Sequence, residues 1–157
     1  MAIGRVFGKW FAGTWGENIV LKKLFKVLVF AFTYSVSLAA FSAANDPLFI
    51  NLSTDEASRV SMAINFGKHH SANGHPLTIF LNDKATMLGV KAGSAKFGDQ
   101  QQALSEVISS GALVLMCPMC LKQAGFTEAD LISGIKLGGP KITGDALFKD
   151  GTKTMSW

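Results

Sequence analysis

The sequence is poor in cysteine, with only Cys117 and Cys120 among 157 residues. That excludes a scaffold knitted by several disulfides. A bridge between these two would close a very short loop and stabilise little, because the gain grows with the length of loop closed. Long apolar runs are also missing. The run Val27–Phe41 is shorter than the roughly 20 residues a helix needs to cross a bilayer, and Thr33, Tyr34, Ser35 and Ser37 dilute it. No internal repeat or low-complexity tract follows residue 45. A surplus of one charge is absent where it would count. Five of the fifteen basic residues (Arg5, Lys9, Lys22, Lys23, Lys26) and one of the eleven acids (Glu17) precede residue 45, which leaves ten of each sign after it. A neutral stretch without clustered Lys or Arg has no electrostatic footprint for a polyanion, so nucleic-acid binding is disfavoured.

What the first 44 residues do carry is a targeting pattern. Lys22, Lys23 and Lys26 form a positive segment, Val27–Phe41 an apolar one, and Ser42-Ala43-Ala44 a small-residue site before Asn45-Asp46-Pro47. The expectation is a signal peptide cleaved after Ala44, with residues 1–20 as an N-terminal extension that a translation start at Val20 or Leu21 would remove. The competing reading is an uncleaved anchor. Cleavage gives an exported, periplasmic domain of residues 45–157 with no stable membrane insertion.

Within 45–157, strand and helix signals alternate. Leu48–Leu52, Leu77–Leu81 and Ala112–Met116 are short apolar, β-rich runs. Ser53–Glu56 supplies helix-capping residues and first-turn acids, and Ala57, Val60, Ala63, Ile64 and Phe66 form a helical stripe closed by Asn73-Gly74. Residues 85–98, with glycines at 89, 93 and 98, read as a long irregular loop with room for one helical turn. Asp99–Ser110 reads as a helix stopped by Gly111, Pro118–Ala124 as another stopped by Gly125, and Thr127–Asp130 opens a short one. Ile135–Leu137 and Lys153–Trp157 are candidate strands. Near-continuous apolar strands alternating with helices predict an α/β fold, a mainly parallel sheet with helices on both faces. Such sheets gather their chemistry beyond the C-terminal ends of the strands. Ser53–Glu56, Asn82–Ala85 and Cys117–Cys120 are expected to meet there.

Pro118 directly follows Cys117, and proline favours the first helical position. Cys117 then caps a helix, and its sulfur faces free amide N–H groups and the positive end of the helix dipole, conditions that favour a thiolate. Such a thiolate attacks disulfide, polysulfide or persulfide sulfur, and Cys120 is placed as a resolving thiol. Two alternatives stand beside this. The pair can be small core hydrophobes, or Cys117, Cys120, Met119 and Met116 can be soft ligands for Cu(I). Zinc is disfavoured without a second cysteine pair. His69, His70 and His75 fall at the opposite edge of the sheet and read as surface residues. Gly138-Gly139-Pro140 reads as a turn. Lys84, Met87 and Lys91, on a loop expected to cover the thiols, are candidate contacts for an anion such as thiosulfate.

The order of strand, Ser-Thr-Asp helix start, Asn73-Gly74-His75 turn, strand ending in Phe80-Leu81, then strand, Cys-x-x-Cys, helix and glycine resembles the DsrE/DsrF-like sulfur-relay family over most of residues 47–157. The eight-residue spacing from Cys117 to Gly125 and the stretch Asp130-Leu131-Ile132 fit its pattern. The resemblance implies a flavodoxin-like three-layer sandwich, often homo-oligomeric, that takes up sulfur as a persulfide and passes it to a protein or small sulfur compound. It requires no cofactor, and Cys117 matches the sulfur-carrying position. Cys120 is not general in the family, whose best-described members are cytoplasmic.

Overall fold

The computed structural model describes residues 45–157. The expectations for residues 1–44, signal peptide and extension, lie outside the described residues. Among those described, no helix is long and apolar enough to cross a membrane.

The three apolar runs form the centre of a sheet. Strands β1 (Leu48–Leu52), β2 (Leu77–Leu81) and β3 (Leu113–Met116) are joined by β4 (Lys136–Leu137) and β5 (Lys153–Ser156) in the order β4-β3-β2-β1-β5. Every pairing is parallel, with Ile50 opposite Ile79 and Ile79 opposite Val114. Alternation sends Leu48, Ile50, Leu52, Ile79, Val114 and Met116 into one core. The intervening Phe49, Phe80 and Leu115 belong to the other face.

Helices α1 (Ala57–Ala72), α2 (Ser94–Ser109) and α3 (Pro118–Gln123) cover the first face. The buried stripe of α1 is Val60, Ala63, Ile64 and Gly67, the spacing of a single helical face. Gly67 lets the helix sit close to the sheet, since a Cβ there would lie 2.9 Å from Leu77 Cδ1 and 3.0 Å from Ile50 Cδ1. Leu121 of α3 joins the same core. Helix α4 (Pro140–Leu147) belongs to the second face, where a Cβ on the preceding Gly138 would meet Phe80, Thr143 and Leu115 within 3.2 Å. The α/β expectation, parallel strands with helices on both faces, is therefore met.

Three local expectations are corrected. Helix α1 starts at Ala57, so Asp55 and Glu56 precede its first turn, and its cap Glu56 makes no side-chain capping bond. Residues 85–98 are wound, not loose. They hold 3-10 turns at Asp83–Leu88 and Lys91–Gly93 and the first five residues of α2, and they bury Ala85, Leu88, Val90 and Phe97. The glycines that suggested a loop instead permit close approach, for a Cβ on Gly93 would run into the Met87 carbonyl oxygen. Finally, Gly138-Gly139-Pro140 is more than a turn. Gly139 caps α4, and Pro140 takes its first position.

Candidate functional site

Cys117 lies one residue beyond the paired part of β3. Its N–H still donates to Leu81 O at 2.9 Å, and its own carbonyl accepts the first helical bond from Leu121 N at 3.0 Å. Its extended backbone and Pro118 at the next position make it the cap of α3, and Cys117 Sγ accepts from Cys120 N–H at 3.3 Å. Both thiols are free and half-buried. Gly138 occupies the equivalent place after β4, donating to Met116 O at 2.8 Å.

These neighbouring strands send the chain in opposite directions. After β3 it enters α3 on the first face, and after β4 it enters α4 on the second. A parallel sheet opens a crevice where successive connections diverge in this way. A cleft of about 470 Å³ occupies that place. Cys117, Pro118 and Met119 line one side, Gly138–Pro140 and α4 the other, with Phe80 between them.

The sequence pattern of the DsrE/DsrF-like family matches residues 48–152. The chain belongs to the DsrE/DsrF-like family. Three solved structures share its fold. A protein of unknown function from Methanobacterium thermoautotrophicum has a TM-score of 0.61 at 14% identity, covering 72% of this chain and 100% of its own. The ychN protein from E. coli has a TM-score of 0.54 at 19% identity, covering 71% and 99%. A conserved protein of unknown function from Bacteroides thetaiotaomicron has a TM-score of 0.56 at 22% identity, covering 74% and 98%. No curated protein sequence matches the chain at a significant level.

In this DsrE/DsrF-like domain the expected geometry of Cys117 is present, while its surroundings work against ionisation. Burial pushes the Cys117 thiol above its ordinary value, and the adjacent Cys120 thiol adds to the rise. The amide N–H groups of Cys120 and Met119 pull the other way without cancelling it. The physical reason is that removal from water penalises the charged form directly, and two amide N–H groups do not offset it.

The other candidate residues are only partly gathered. Met119 stands at the cleft and is 71% exposed, whereas Met116 is fully buried in the first-face core, where a Cβ on Gly89 would collide with its Cε. Strand alternation separates Met116 from Cys117, so the two do not share one coordination space. No cluster of three or more His, Cys, Asp or Glu able to hold a metal occurs among the described residues. Asn82 does reach β1, through Asn82 Nδ2 to Asn51 Oδ1 at 2.6 Å, but neither Ser53–Glu56 nor Asn82–Ala85 lines the cleft. Lys84 and Met87 do not line it either, and Lys91 Nζ bonds to Ala129 O at 2.7 Å. What sequence reasoning missed is Gly138–Phe148, the opposite wall. Its signal was Pro140 after Gly139, the same helix-opening use of proline that identified Cys117.

Proposed function

We propose that this protein is a periplasmic sulfur carrier or transferase in which Cys117 forms a persulfide and Cys120 serves as second thiol. The observation that carries the proposal is the place of Cys117 in a DsrE/DsrF-like domain. It caps a helix at the divergence of β3 and β4, with its sulfur on an amide N–H and open to a cleft. A cysteine there has a nucleophilic atom, a donor that favours its anion and room for a reactant.

In the forward step the Cys117 thiolate attacks the outer sulfur of a donor R–S–SH. The new bond is Cys117 S–SH, the donor S–S bond breaks, and its electron pair leaves on RS⁻. No net oxidation occurs. Cys120 thiolate can then attack the inner sulfur of Cys117, forming the Cys117–Cys120 disulfide and releasing HS⁻. A dithiol reductant must reopen that bridge. Because the Cys117 thiol is raised, loading quickens as the pH climbs or as a bound donor takes its proton.

The test is intact-protein mass spectrometry of residues 45–157 after exposure to polysulfide. One added sulfur on Cys117, lost in Cys117→Ser and longer-lived in Cys120→Ser, is the expected result. Absence of added sulfur in every form removes the proposal. Fractionation of the expressed cells tests the periplasmic part, and light scattering tests a homo-oligomer.

A further inference from the structure

The walls of the cleft decide which donors can reach Cys117. Its volume of about 470 Å³ is that of a small-molecule site. Among the described residues lining it none is charged, and Cys117 supplies the one reactive polar side-chain atom. Thr143 Oγ1 is itself buried, so it presents no polar atom to the cleft. The rest is apolar, from Phe80 and Leu147 inside to Met119 and Phe148 at the rim. Phe148 is 82% exposed, so two large apolar side chains stand in water beside one nucleophile.

An inorganic anion such as thiosulfate would lose its hydration against these walls and meet no cation in return. A heavily charged carrier such as glutathione persulfide faces the same penalty.

Resting on the persulfide role of Cys117, we infer that the cleft binds the uncharged, apolar organic group of a small persulfide R–S–SH, R being aromatic or alkyl. Phe148, Met119 and Leu147 hold R, and the outer sulfur faces Cys117. Transfer breaks the donor S–S bond, forms Cys117 S–SH and releases RS⁻ with the electron pair. Sulfur is passed on without net oxidation.

The experiment compares initial rates of sulfur addition to Cys117 from benzyl persulfide, glutathione persulfide, thiosulfate and persulfidated albumin. It uses the protein and its Phe148→Asp variant, a change at a solvent-exposed position. Benzyl persulfide should load about tenfold or more faster than glutathione persulfide, the discrimination an apolar pocket gives. Phe148→Asp should slow loading by benzyl persulfide about tenfold or more, the loss of one apolar wall. Equal rates for the two organic donors, or faster loading by thiosulfate, overturn the inference and leave the persulfide role standing. Loading by albumin alone also overturns it, and assigns the cleft to a protein partner. Loading by none of the four removes the persulfide role itself.

Discussion

The sheet has a cleft at each end, and the two are similar in size but not in chemistry. At the C-terminal ends of the strands lies the thiol cleft of about 470 Å³. At the N-terminal ends another of about 420 Å³ is lined by Leu48, Phe66, His70, His75, Lys153 and Met155, among others. The histidine cleft has the more varied side chains, yet each is already engaged in structure. His75 Nδ1 donates to Asp46 O at 2.8 Å, His70 packs on Phe66 with ring centroids 4.3 Å apart, and Lys153 Nζ pairs with Asp46 at 3.2 Å. The thiol cleft holds the free thiol of Cys117 on walls without charge. Volume therefore does not distinguish the two clefts; a free nucleophile does.

The largest effect that tests this contrast is substitution at each end. Cys117→Ser should abolish sulfur uptake measured by mass spectrometry, while His70→Ala should leave it intact. If the His70 variant also loses uptake, the two ends are not independent.

The second test is pH. A raised thiol stays protonated through neutrality and ionises later as the pH climbs. Peptide-resolved alkylation of Cys117 should therefore have its midpoint above that of an ordinary cysteine. In Cys120→Ala the midpoint should fall, because one raising influence is gone, but stay above the ordinary value, because burial is the larger cause. A midpoint below that of free cysteine would restore the thiolate expected from the helix start alone.

Gly138→Ala should cost about 1–3 kcal/mol in urea unfolding, as overpacking does, because the added Cβ would press on Phe80 Cε2 at 2.9 Å and Leu115 Cβ at 3.2 Å. It should also slow sulfur uptake by displacing the wall opposite Cys117. At the other end, His75→Ala should cost about 0.5–1.5 kcal/mol, the net worth of one hydrogen bond, without changing uptake. A larger loss of stability from His75→Ala than from Gly138→Ala would reverse this ranking.

Much of the fold was legible because its signals are local. Leu48–Leu52 and Leu77–Leu81 form strands with the expected bounds, and Gly74, Gly111 and Gly125 turn the chain with φ of 94°, 98° and 83°. Thr127 and Asp130 form a capping box, Thr127 N–H reaching Asp130 Oδ2 at 2.8 Å. Helix α4 was missed because its eight residues include Thr143, Gly144 and Ile142, weak helix formers, and it buries no residue fully. Residues 85–98 were misread because glycine spacing signals looseness in a sequence but close packing in a structure.

The sequence alone determined the parallel α/β layering, the two thiols beyond the C-terminal end of a strand and the capping of a helix by Cys117. Apolar runs, proline and glycine act through neighbours a few residues away, and such signals survive without coordinates. The tertiary structure alone decided that Gly138–Phe148 faces Cys117, that Met116 is committed to the core, and that burial outweighs the amide N–H groups in pushing the thiol up. Each depends on distances between segments far apart in the chain, and on how much water their packing removes.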